Sequence, residues 1–218
     1  EFLYLLISQK QGDVLLKPGI PSFRVSELFL GQPHRLPLRF LYDIFSMDFN
    51  NIFSVYREKL DSLGLNASEH LLLACVASQE ILHLHNGKSV KSYAMSSSKL
   101  SPSCKESSLG TPWGLHEVCE KIGEGKKAGT VFEGRLSIGL TSEECSLEQR
   151  SRNLITSRIL RLDGLEIGVN RGGEVDTYKR YVYVHGTNHE QKIGTPASSG
   201  CLQMLNSEII ELFSIISI

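Results

Sequence analysis

The run from Tyr181 to Met204 reads YVYVHGTNHEQKIGTPASSGCLQM. It opens with β-branched and aromatic residues, Tyr181 to His185, which predict a short strand that Gly186 halts. Cys201 follows a small-residue turn, with 15 residues (186 to 200) between it and His185. A loop of that length can return a second element beside the first. A thiol attacks a carbonyl as its thiolate, and an imidazole within hydrogen-bond reach is the usual way to produce one near neutral pH. Ser198, Ser199 and Gly200 allow the backbone to turn sharply at the thiol and leave backbone N–H groups to bind a developing oxyanion. Cys201 is therefore the candidate nucleophile and His185 its base. Spacing alone favours the blander account, because free cysteine is among the most buried residue types and is usually inert.

Outward from this stretch, short β-rich runs separated by turn residues begin at Leu71 and predict a mostly-β domain. The clearest unit is a hairpin in which Glu80 to His85 and Val90 to Met95 flank Asn86-Gly87, the pair that supplies the positive φ angles of a type I′ turn. Gly114 to Glu120, Thr130 to Ile138 and Ser157 to Leu162 are further strand candidates. After Cys201, Asn206 or Ser207 is expected to cap a helix whose apolar face holds Ile209, Ile210, Leu212 and Phe213.

Residues 1 to 68 read differently. Ile52, Tyr56, Leu60 and Leu63 recur at helical spacing, with Asn50 or Asn51 as cap and Gly64 as terminator, while the segment from Pro18 to Pro37 is broken by prolines. This predicts a small, partly helical accessory segment over 1–68 and a catalytic domain over 69–218. With 218 residues, 41% hydrophobic and 22% charged, the chain is long enough for one good-sized core. A formal net charge of -1 lacks the basic face that nucleic acid demands. No apolar run approaches the roughly 18 to 20 residues that cross a bilayer, so no membrane span is expected. The chain opens at Glu1 without the features of a secretory signal. Five widely spaced cysteines form no CxxC pair, and their odd number leaves at least one thiol free in a monomer.

The stretch HGT followed by SSGCLQM resembles the signature of the L,D-transpeptidase (YkuD-like) catalytic domain family. The resemblance extends over roughly residues 70 to 214 and takes in ILHLHNGKSVKSYAMSSSK, GTPWGLHEV, SRILRLDGLEIGVNRGG and KRYVYVHGT. It implies a mostly-β catalytic fold with a helix after the nucleophile and acyl transfer on peptidoglycan stem peptides in the bacterial periplasm or cell envelope. Cys201 would attack the carbonyl of the L-centre of a diamino acid and release D-alanine, and an amine of a second stem would resolve the thioester. His185 matches the family base and Gly186 the carbonyl that orients it, while Ser199, Gly200 and Cys201 match the oxyanion region. Neither a metal nor an organic cofactor is implied, and carbapenem-type β-lactams are the implied inhibitors. Two positions depart from the family pattern: Ser199 stands where a second histidine is usual and Gln203, at the substrate-binding position, where arginine is usual. Serine carries no charge, and glutamine cannot pair a carboxylate as a guanidinium does. An L,D-carboxypeptidase that uses water as acceptor and a binding module without turnover are the alternatives.

Other patterns carry less. Ser96-Ser97-Ser98-Lys99 fits the SxxK of penicillin-recognising serine enzymes, but no KTG accompanies it and a polar strand end explains it. His83 and His85 share one strand face and are expected to face solvent, while His185 and His189 lack the helix that would align them as metal ligands. The GEGKK run from Gly123 reads as a surface turn. Asn66-Ala67-Ser68 matches a glycosylation acceptor that has no meaning in a bacterial protein.

Overall fold

The computed structural model describes residues 4–9 and 49–218; the proline-broken segment from Pro18 to Pro37 lies outside them. The described residues form a ten-stranded sheet. Its strands are β1 (Tyr4–Gln9), β2 (His70–Cys75), β3 (Glu80–His85), β4 (Lys88–Ala94), β5 (Gly114–Ile122), β6 (Thr130–Glu133), β7 (Leu136–Thr141), β8 (Ile155–Gly164), β9 (Tyr183–Thr187) and β10 (Leu202–Met204). Eight run in the order β10-β9-β8-β5-β1-β2-β3-β4, and the β6–β7 hairpin attaches to β8. Pairings are antiparallel except β1 with β5 and β9 with β10. Helices α1 (Phe49–Leu63), the short α2 (Leu147–Arg150) and α3 (Asn206–Ile215) complete the architecture.

Alternation along the strands sorts the apolar residues onto two faces. On one, Leu72, Ala74, Ile81, Tyr93, Val118, Leu160, Leu162, Val182, Val184, Leu202 and Met204 pack with Ile209, Leu212 and Phe213 of α3. On the other, Leu71, Leu73, Leu82, Leu84 and Leu115 are covered by Tyr56 and Leu60 of α1. Further along that second face, Phe132 of the β6–β7 hairpin packs on Ile159 and Tyr183, with Cys201 at the margin of the cluster. β2 is buried on both faces, which is why its continuous run of leucines shows no alternation.

The hairpin predicted at Asn86-Gly87 is present, with φ of 48° and 75° at the two turn residues. α1 ends as expected at Gly64, whose φ of 65° permits the chain reversal. Leu65 N–H donates to Leu60 O (2.9 Å) and Gly64 N–H to Asp61 O (3.2 Å), with Leu60 and Leu65 in one apolar cluster. α1 begins at Phe49, so Asn50 and Asn51 lie inside its first turn and not at its cap.

Several sequence expectations are corrected. Thr130 to Ile138 is two strands, because Gly134 and Arg135 take φ of 53° and 70° and reverse the chain. Gly186 does not halt β9, which runs on to Thr187, and Tyr181, at φ 56°, precedes the strand. His83 is buried and does not face solvent. β1 and α1 both come from residues 1–68: β1 lies between β2 and β5 in the sheet, and α1 packs on β2, β3 and β5. A Lys59–Glu166 ion pair adds a further tie between α1 and the loop after β8. Among the described residues, no helix is long and apolar enough to cross a membrane.

Candidate active site

β9 and β10 run parallel, with Leu202 beside Val184, Gln203 beside His185 and Met204 beside Gly186. Alternation then separates their side chains. Val184, Leu202 and Met204 enter the core under α3, whereas Tyr183 and Cys201 belong to the cluster on the opposite face. By the same alternation His185 and Gln203 share the Cys201 face, so the candidate nucleophile and base are diagonal neighbours on adjacent strands.

The loop that returns from His185 to Cys201 is fixed along its length. Gly194 N–H donates to Met95 O (3.0 Å), and Ala197 and Ser198 N–H both donate to Ser97 O (2.9 Å each). Ser96 and Gln203 exchange two backbone bonds of 2.9 Å. Ser96 Oγ donates to Lys192 O (3.0 Å), so this hydroxyl is a structural brace, and Lys99 is exposed. The SxxK pattern is thus absorbed by the scaffold. Asn206 was expected to act only as a helix cap, but Leu205 occupies that position. Glu190 instead accepts the Asn206 N–H at 2.6 Å. The Asn206 side chain donates to Thr187 O and Glu190 Oε1 (2.9 Å each) and accepts from Thr156 Oγ1 (2.6 Å) and Ser157 Oγ (2.5 Å). One amide therefore joins β8, β9, the loop and α3. It also explains Gly186, because a Cβ there would sit 2.5 Å from Asn206 Oδ1 and 2.7 Å from Thr156 O.

At the thiol, Ser198 closes the turn: its hydroxyl donates to Cys201 O (2.6 Å) and accepts from Gly200 N–H (3.2 Å). Gly200 takes φ 125°, a conformation L side chains rarely adopt. Ser199, in contrast, is exposed. Of the backbone N–H groups expected to be free for an oxyanion, that of Gly200 is engaged by Ser198.

His185 is buried, and its Nδ1 lies 2.6 Å from Gly186 O. A carbonyl only accepts, so Nδ1 carries the proton and Nε2 holds the lone pair of the neutral ring. Burial pushes the His185 pKa down to about 4, opposed by the Gly186 bond. Cys201 is half-buried, and its Sγ donates to Tyr181 O at 3.6 Å. Burial pushes the thiol up to about 11, opposed by a backbone hydrogen bond at Tyr183 and by the charge of Arg180. Both shifts favour the neutral forms, so the pair rests as thiol and imidazole.

Sequence reading missed the basic and aromatic surroundings. Arg180 donates to Ser103 O (3.0 Å), Gly110 O (2.7 Å) and Ser108 Oγ (3.4 Å), with no carboxylate at ion-pair distance among the described residues. Arg161 is bound to Glu120 (2.7 Å) and lies over the Tyr178 ring (3.4 Å). Arg135 reaches Tyr183 Oη (3.3 Å) and lies 5.1 Å from the Tyr181 ring. For Arg180, Tyr181 and Tyr183 the signal was the KRYVY run, which was read as strand composition and as part of the family resemblance. His189 begins a short 3-10 turn separate from His185, and the five cysteines are all free thiols.

Comparison with known proteins shows the family. The model of the YkuD family, described as the L,D-transpeptidase catalytic domain, matches residues 70–218. YkuD of Bacillus subtilis (strain 168), a curated relative named as an L,D-transpeptidase, is 40% identical over 52 residues, 22% of this chain. The match spans about a third of that relative's length, 32%. Two solved structures show weak likeness. An L,D-transpeptidase from Mycobacterium smegmatis is 13% identical with a TM-score of 0.38, covering 71% of this chain and 65% of its own. The L,D-transpeptidase LdtMt1 in complex with imipenem is 14% identical with a TM-score of 0.38, covering 68% and 63%. Because the family match runs from the first residue of β2 through Ile218 and takes in both His185 and Cys201, this chain belongs to the YkuD family of L,D-transpeptidase catalytic domains.

Proposed function

We propose that the protein is a cysteine acyltransferase that acts on peptidoglycan stem peptides in the bacterial cell envelope, forming 3-3 cross-links or attaching another amine. The placement of Cys201 and His185 as diagonal neighbours on one face of the parallel β9–β10 pair carries this reading. His185 Nε2 takes the thiol proton as Sγ bonds to the carbonyl carbon of the L-centre of the diamino acid. The resulting oxyanion is held by backbone N–H groups at Gly200 and Cys201, with Gly200 N–H exchanging its 3.2 Å bond to Ser198. The C–N bond to D-alanine then breaks, and the imidazolium returns its proton to the leaving amine. An acceptor amine attacks the thioester, His185 removes its proton, and the thiol is restored. Water in the acceptor's place gives L,D-carboxypeptidase activity. Arg180, with no carboxylate at ion-pair distance among the described residues and close enough to lower the thiol pKa, supplies the substrate carboxylate with the positive charge that Gln203 lacks.

Imipenem provides the direct test of the nucleophile. One covalent adduct per chain is expected by intact mass, mapping to Cys201 and suppressed in His185→Ala. An adduct of equal yield on Cys201→Ala contradicts the assignment. Absence of any adduct on the folded native chain favours a binding module without turnover.

A further inference from the structure

Far along the sheet from Cys201, the start of β2 and the end of β3 bring three imidazoles onto the face that carries α3. His70 pairs with His85, and His83 sits beside Leu72, one step further into the sheet. The His70 and His85 rings stack with centroids 4.6 Å apart, and those of His70 and His83 at 5.1 Å. His85 Nε2 lies 2.6 Å from Glu69 Oε1. One ligand atom from each of Glu69, His70 and His85 falls within 4.8 Å of the others. Tetrahedral bonds of roughly 2.0–2.1 Å place neighbouring ligands about 3.3 Å apart, so modest side-chain rotation completes the geometry. Glu69 and His85 are free to make it, with side chains 59% and 42% exposed.

We propose that Glu69, His70 and His85 form a binding site for a divalent cation of the zinc class, with His83 as the positioning residue behind it. Two imidazoles and one carboxylate are a ligand set that suits zinc or nickel, with a fourth position open to water. His83 Nε2 lies 2.8 Å from His70 Nδ1 and so fixes that ring, leaving His70 Nε2 for the cation. His83 is 1% exposed and its Nδ1 has no hydrogen-bond partner among the described residues, which marks a buried polar group not explained by packing. Of the other charged groups toward this face, Lys91 and Glu211 pair with each other at 2.7 Å, Glu208 lies near that pair, and Lys88 stands opposite His85 across the β3–β4 pairing. A bound cation displaces the proton between His85 Nε2 and Glu69, which moves to His85 Nδ1 or to solvent. It would clamp the segment leaving α1 to the β2–β3 hairpin.

The test is zinc chloride titration of the native chain, followed by calorimetry and thermal unfolding, after alkylation of accessible thiols so that Cys201 cannot bind the metal. One zinc per chain is expected, with Tm raised by about 5 °C or more at a hundredfold excess over Kd. Glu69→Gln and His85→Ala, both at exposed positions, should each weaken binding at least tenfold, and His83→Gln by about 10-fold to 100-fold. Imipenem acylation should be unchanged in Glu69→Gln and His85→Ala, which keeps this site's failure distinct from that of the nucleophile assignment. No saturable binding at millimolar zinc, or full binding in a folded His70→Ala/His85→Ala double variant, overturns the proposal.

Discussion

Two adjacent serines stand before Gly200 and Cys201, and they do different work. Ser198 bonds both Gly200 N–H and Cys201 O, whereas Ser199 is exposed. Ser198→Ala leaves two backbone groups of the nucleophile turn without their partner, at a cost of about 1–3 kcal/mol. If that cost falls on the acylation transition state, the rate drops by roughly fivefold to a hundredfold. Ser199→Ala should change it less than about twofold. Stopped-flow acylation by imipenem measures both, and equal effects would show that the turn is not held as described. The sequence marked all three turn residues as chemically relevant, but could not divide roles between two identical side chains. Only the direction of each hydroxyl separates them: that of Ser198 turns into the loop, and Ser199 is exposed.

Among elements, the β9–loop–β10–α3 unit positions His185 and Cys201, and Asn206 is its junction. Asn206→Ala removes its side-chain bonds to Thr156, Ser157, Thr187 and Glu190 and strands partly buried partners. A loss of roughly 2–4 kcal/mol is expected by urea unfolding. Ser207→Ala, at the exposed neighbour, should stay within about 0.5 kcal/mol. Comparable losses would return Asn206 to the role of an ordinary helix-end residue. The contrast shows where sequence reading stops. The Asn86-Gly87 hairpin, the Gly64 helix end and the α3 apolar face at Ile209, Leu212 and Phe213, though not Ile210, were legible because each rests on local backbone or periodic demands. The continuation of β9 through Gly186 was not, since that glycine answers to an amide 20 residues away, at Asn206. The Gly134-Arg135 reversal was hidden because arginine seldom takes a positive φ. β1 was missed because its place is set by partners beyond residue 70.

At the scale of the whole fold, three histidines among the described residues are buried as neutral rings: His83, His116 and His185, pushed down by burial to about 4, about 3 and about 4. Their unfolded values lie near the ordinary 6.5, so between these limits the unfolded chain binds more protons than the folded one. Stability is therefore fully present above about pH 6.5 and is lost as pH falls toward 4, at up to about 4 kcal/mol per pH unit if all three titrate together. Asp163 and Glu208, whose carboxyl pKa values burial raises, offset part of the loss. Urea midpoints at pH 5 should lie well below those at pH 7, and a flat profile would contradict neutral burial. The same burial leaves Cys201 and His185 uncharged at rest, so the proposed reaction requires a substrate that draws the proton from sulfur to nitrogen as the new bond forms. The most direct measurement is mass spectrometry of tetrapeptide muropeptides incubated with the native chain, combined with peptide mapping of the protein during turnover. Loss of D-alanine, stems joined through their diamino acids or shortened to tripeptides, and an acyl mass on Cys201 that vanishes in Cys201→Ala are predicted. Pentapeptide consumption yielding D-alanine-linked dimers, or tetrapeptide turnover that survives Cys201→Ala, would contradict the account.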